Sequence, residues 1–188
     1  MRTMAVLAPG ETTWQPVAHV AVSDARLRSR LTEALHRSGW AVIASPTGYH
    51  LLQTLSGPLF GDQPWLRPEL LVVDAFSPGC SGLTIAHGLR ELGWPVPVIL
   101  IAASAEHERL AQSSCDESPD SQLFVTRREV AIPTVMAVAQ HHRQTTLGAA
   151  ADPAGPDVCM SESISDTIEE WLSGVSPTYT RRSHAADE

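Results

Sequence analysis

The 188-residue chain carries a net charge of -8, a pI near 5.4 and 43% hydrophobic residues, which suits one globular domain of ordinary size with some chain to spare. Its thirteen Lys-plus-Arg positions are all arginine, and asparagine is absent as well, so a Walker-type phosphate loop, a Schiff-base lysine and an N-glycosylation sequon are all excluded. Residues 1–145 hold 13 acids and 11 arginines, whereas residues 146–188 hold 8 acids and 2 arginines. A balance of this kind disfavours gripping nucleic acid through its phosphates.

The first sixteen residues show no sustained period and read as a leader. Order begins at Val17. The run Val17 to Val22 is apolar and valine-rich, and ends at Ser23-Asp24, as a buried strand does before a helix cap. Leu27, Leu31, Ala34 and Leu35 then recur at helical spacing, with Gly39 as the stop. A second strand is expected over Trp40 to Ala44. Tyr49, Leu51, Leu52 and Leu55 predict a short helix, and the breaker-rich stretch Ser56 to Pro68 predicts an enlarged loop.

Leu70 to Val73 form the third expected strand, ending at Asp74. Leu83, Ile85, Ala86, Leu89 and Leu92 mark a third helix closed by Gly93. The alternation continues with a strand at Pro97 to Ile101, a short helix at Glu106 to Ala111, a strand at Gln122 to Thr126 and a helix at Ile132 to His142, with Pro133 in its first turn. Five unbroken apolar strands alternating with helices indicate an α/β, doubly wound parallel sheet covered on both faces. In such sheets the site lies beyond the carboxyl ends of the strands. Asp24 and Asp74 fall there.

The domain is expected to span 17–145, with 146–188 as an acidic linker and a C-terminal helix. Gly148 to Pro156 is linker-like, and Ile164, Ile168, Trp171 and Leu172 recur at helical spacing around Glu169 and Glu170. That segment is too small for a core of its own. The odd count of cysteines, Cys80, Cys115 and Cys159, argues against a disulfide framework or zinc site. Met4 to Ala8 is too short for a signal-peptide core, and no run approaches a membrane span. The expectation is a cytoplasmic protein with reduced thiols and no membrane partner.

Two carboxylates at neighbouring strand ends can share a hard cation such as Mg2+. Here the sequence resembles the receiver domain of bacterial two-component response regulators over residues 17 to 143. The resemblance runs through Val22-Ser23-Asp24, Leu71-Val72-Val73-Asp74, Ser77-Pro78, Gly82 and Pro97-Val98-Ile99-Leu100. It implies a flavodoxin-like fold with strand order 2-1-3-4-5, Asp74 as the candidate phosphoacceptor, and Ser23, Asp24, Phe76, Ala102, Thr126 and Arg127 lining the site. The family's acidic pair is reduced to Ser23-Asp24, and its strand-four hydroxyl position falls on Ala102, with Ser104 two residues on. The place of its lysine falls on Thr126 or Arg127, depending on register.

These departures imply an atypical or pseudo-receiver that regulates transcription through protein contact or a small ligand, without being an enzyme. No cofactor is expected, or at most Mg2+ held weakly by Asp24 and Asp74. The rival is a Mg2+-dependent phosphoacceptor in which Asp74, Asp24 and the Phe76 carbonyl hold the ion and Arg127 replaces the lysine. A more distant rival is a small Asp-based phosphohydrolase. Asp24 is equally explained as a helix cap and Arg127 and Arg128 as exposed charges, whereas for Asp74 a retained site is favoured over a solvated loop carboxylate. His107, His141 and His142 read as surface residues, Trp65 as a cover for the sheet edge, and Cys80 as a thiol beside the site. A homodimer through Val135, Met136 and Val138 is expected, although core packing explains the same residues. DNA enters only if a fuller output domain exists, since Trp171 to Ser176 only faintly resembles the start of a helix-turn-helix.

Overall fold

The computed structural model describes residues 15–60, 67–77, 79–94, 96–116 and 122–149. Five parallel strands, β1 (Val17–Ala21), β2 (Ala41–Ser45), β3 (Leu70–Asp74), β4 (Val98–Ala102) and β5 (Leu123–Arg127), form one sheet in the order β2-β1-β3-β4-β5. They alternate with α1 (Ala25–Arg37), α2 (Gly48–Phe60), α3 (Gly82–Glu91), α4 (Ala105–Asp116) and α5 (Ala131–Ala149). The three inner strands are buried at every residue, and β2 and β5 are partly exposed edges. The unbroken apolar runs therefore have the cause inferred for them. Every side chain of an inner strand meets a helix, whichever way it points.

Alternation divides the core into two layers. Leu71, Val73, Val98 and Leu100 point toward Leu51, Leu52 and Leu55 of α2, Ile85 and Leu89 of α3 and Ala111 of α4. Leu70, Val72, Ile99 and Ile101 point the other way, toward Leu27, Leu31 and Leu35 of α1 and Ala131, Val135 and Ala139 of α5. Gly39 and Gly93 take left-handed backbone angles, with φ of 83° and 65°, and end α1 and α3 as expected from their positions.

Three helices are longer than the sequence suggests. The second runs through Gly57 and Pro58 to Phe60, into what reads as loop. Leu51, Leu52, Leu55 and Pro58 are all buried, so packing of one stripe overrides the breakers. Proline forfeits only one intrahelical bond, close to the helix end. The fourth helix extends to Asp116, and the fifth to Ala149, past the boundary expected at 145. A 3-10 turn, Arg128–Val130, joins β5 to α5. The leader up to residue 14, Trp65, Pro78 and everything after 149 lie outside the described residues, as does the side chain of Cys115. Among the described residues no helix is long and apolar enough to cross a membrane.

The far end of α5 is tied to the far end of α1. Arg143 Nη1 donates to the Ser38 carbonyl at 2.8 Å. His142, expected at the surface, is half-buried, with its ring 6.4 Å from that of Trp40 and Nε2 3.9 Å from a Glu69 carboxylate oxygen. Burial lowers the His142 pKa; Glu69 opposes the shift and His141 reinforces it. A histidine whose folded pKa lies below its unfolded value of 6.5 is protonated first in the unfolded chain. Stability should therefore be full above that value and fall as the pH drops below it. Melting temperatures followed from about pH 7.5 to 5 should decline in wild type, and the His142→Gln variant should show a shallower decline.

Candidate functional site

The carboxyl ends of β1 and β3 lie side by side, because Ala21 pairs in register with Val73. Asp74, the last residue of β3, is 5% exposed. Its Oδ2 accepts two hydrogen bonds from one residue of the loop after β1. The Ser23 backbone N–H donates at 2.7 Å and the Ser23 hydroxyl at 2.6 Å. A serine here therefore satisfies a buried carboxylate that a second acid would have repelled.

Asp24 serves as the N-cap of α1. Its Oδ1 accepts from the N–H groups of Arg26 and Leu27, at 2.9 and 3.0 Å, and its Oδ2 lies 3.7 Å from Arg128 Nη1. The Leu27 N–H above all holds its carboxyl below the ordinary carboxylate range, against the cost of burial, with help from the Arg26 N–H and the guanidinium groups of Arg128 and Arg26. Arg28, which the sequence does not single out, braces the same loop. Its Nη1 donates to the Val22 carbonyl at 2.5 Å.

The register of β5 sets Thr126 and Arg127 on opposite faces of the sheet. Asp74 pairs with Ile101, and Ile101 pairs with Thr126, so these three form one row across the sheet. Alternation places Asp74 and Thr126 on the side of α1 and α5. Thr126 is 4% exposed, and its hydroxyl donates to Thr134 Oγ1 of α5 at 3.1 Å. Arg127 points to the opposite layer and is ion-paired through Nε to Glu108 of α4 at 3.3 Å. Ala102, paired with Arg127, is buried; Ser104 caps α4 by accepting the His107 N–H at 3.2 Å. Phe76 lays its half-exposed ring 4.8 Å from that of His107.

The family resemblance implies Mg2+, and the donors on this rim fit it poorly. Mg2+ demands near-octahedral oxygen coordination. Asp24 gives one oxygen to its helix and faces the other toward a guanidinium, while Asp74 gives one to Ser23. Among the described residues no group of three or more His, Cys, Asp or Glu could hold a metal ion. Cys80 is buried, and burial pushes its thiol pKa up, which disfavours the thiolate that redox chemistry uses.

No family model matches the sequence, and no curated protein does. Solved structures do resemble it. The receiver domain of the Francisella response regulator 1452 aligns at 18% identity with a TM-score of 0.54, covering 70% of this chain and 99% of its own. The fold is that of a response-regulator receiver domain. The signal receiver domain of a putative LuxO repressor protein from Vibrio parahaemolyticus aligns at 15% identity, with a TM-score of 0.55 over 74% of this chain and 99% of that one. FixJ-N aligns at 17% identity, with a TM-score of 0.52 over 70% and 96%.

Within this receiver fold, Gly82 has a requirement beyond helix punctuation. A Cβ there would lie 2.4 Å from Val73 Cγ2 and 2.6 Å from the Asp74 carbonyl oxygen. Gly82→Ala should lower stability by about 1–3 kcal/mol through overpacking, read as a fall in melting temperature. Ser23→Ala removes the hydroxyl donor from a buried carboxylate and should cost about 1–3 kcal/mol in denaturant unfolding. An unchanged unfolding midpoint for Ser23→Ala would show that the contact contributes nothing.

Proposed function

We propose that this chain is an atypical receiver module of a signalling regulator, in which Asp74 is held as a structural carboxylate and Mg2+-dependent phosphorylation is weak or absent. The observation that carries this reading is the double hydrogen bond from Ser23 to Asp74 Oδ2. It ties the candidate acceptor to the protein's own backbone on the side where β1 meets β3. The conversion of Asp24 to a helix cap, and the burial of Thr126 in the row of Asp74, add to it. The rim lacks the mobile ammonium that would reach a phosphoryl oxygen, since the chain has no lysine and Arg127 is turned to α4.

In this reading the protein is cytoplasmic, is not an enzyme, and acts on transcription through protein contacts or a small ligand near Asp74. Val135 is fully buried and Met136 and Val138 pack against the same core, so core packing accounts for all three. The exposed apolar residues Leu110, Phe124 and Val130 are better placed for contact with a second copy or another regulatory protein. The second reading, a Mg2+-dependent phosphoacceptor, is favoured by the position of Asp74 alone. Incubation with acetyl phosphate and Mg2+ followed by intact-mass measurement separates the two. Unmodified protein is expected, and a stoichiometric phosphoryl adduct that disappears in Asp74→Asn would overturn the proposal.

A further inference from the structure

The charges in the first turn of α1 run against the helix they sit on, whereas His36 and Arg37 in its last turn suit it. A helix N-terminus carries partial positive charge and is stabilised by acids in its first turn. The first turn of α1 has no acid beyond the cap, and carries Arg26 and Arg28 instead. Over its whole length α1 holds four arginines against one glutamate. Arg26, Arg30, Glu33 and Arg37 are all exposed, and their spacing of i, i+4, i+7 and i+11 puts them on one flank of the helix. Glu33 is paired with Arg37, and Arg26 and Arg128 share the field of the single carboxylate Asp24. Arg30 forms no ion pair among the described residues. The flank is thus a basic stripe on an acidic protein, unfavourable to the helix at Arg26 and favourable to it at Arg37.

The complementary charge lies in the same chain. Between Asp152 and Glu170 there are six carboxylates, Asp152, Asp157, Glu162, Asp166, Glu169 and Glu170, and no arginine or histidine. The geometry brings this segment within reach. Arg143 and His142 tie α5 to the carboxyl end of α1 at Ser38 and Trp40, so α5 delivers the chain at Ala149 close to where α1 ends. The thirteen residues of α1 span about 20 Å. The twenty-one residues 150–170 have a contour length of about 70 Å, ample for their acids to meet both ends of the stripe.

We propose that the acidic segment Asp152 to Glu170 docks in cis on the Arg26–Arg30–Arg37 flank of α1. The contact is electrostatic and intramolecular, so it forms at the high effective concentration of a tethered ligand and weakens with salt. It relieves the unfavourable charge of the first turn of α1 and occupies the flank against any other acidic partner. The Ile164, Ile168, Trp171 and Leu172 stripe takes no part in it.

Cys159 sits within the acidic segment and allows a direct test in the full chain. In a Cys115→Ser background, with Cys80 buried, a nitroxide is attached to Cys159 and amide line broadening is read by NMR. The α1 amides should lose most of their intensity at about 0.02 M salt and regain it at about 0.5 M, while α3 amides, on the other layer, stay sharp. The loss should disappear in Arg26→Glu/Arg30→Glu, in which the change at position 26 puts an acid where the helix N-terminus favours one, and whose melting temperature should match wild type. The proposal is overturned if α1 amides stay sharp at low salt, or if broadening persists in the charge-reversed variant. It is equally overturned if a spin-labelled chain broadens an isotope-labelled, unlabelled-spin chain to the same degree in a mixture, since the contact would then lie between copies.

Discussion

The clasp between Ser23 and Asp74 is the constraint from which the rest of the rim follows. A carboxylate at the buried end of β3 must find donors, because an unsatisfied charge there costs more than most contacts can return. The loop after β1 supplies two from one residue. Once Ser23 is committed to β3, Asp24 is left at the first position outside α1, where its oxygen satisfies two helix N–H groups. Arg28 then closes over the Val22 carbonyl, and Arg128 faces the remaining Asp24 oxygen from the β5–α5 turn. The loop is thereby fixed from α1, β3 and the turn before α5.

The backbone at Asp74 is held as tightly as its side chain. The start of α3 passes so close to the Asp74 carbonyl that only glycine fits at position 82. Gly48 shows the same economy at the start of α2, where a Cβ would lie 2.3 Å from the Cys80 carbonyl oxygen. Both contacts draw the helices of one layer against the loop that follows β3. The rim is thus held by hydrogen bonds on one side and by close glycine contacts on the other.

Much of this was legible in the residues. Inner strands buried on both faces leave unbroken apolar runs, and Asp24, Gly39 and Gly93 mark helix ends by chemistry that acts within a few residues. The helix through Gly57 and Pro58 was not legible, because burial of Leu55 and Pro58 is a tertiary gain that local propensity does not contain. The contact of α5 with the end of α1 escaped for the same reason, since it joins Arg143 to the Ser38 carbonyl 105 residues away. Of the site, Asp74 and Ser23 could be placed at neighbouring strand ends, but which oxygen met which donor could not. Which of Thr126 and Arg127 faces which layer turned on strand register, which one residue of slip inverts. Arg28 had no motif to announce it.

That inversion has a consequence for how disturbance would spread. Thr126 and Arg127 are consecutive, yet one is tethered to Thr134 of α5 and the other to Glu108 of α4. The final peptide of β5 is therefore anchored from both layers at once, and losing either tether would leave the other helix still attached to this sheet edge.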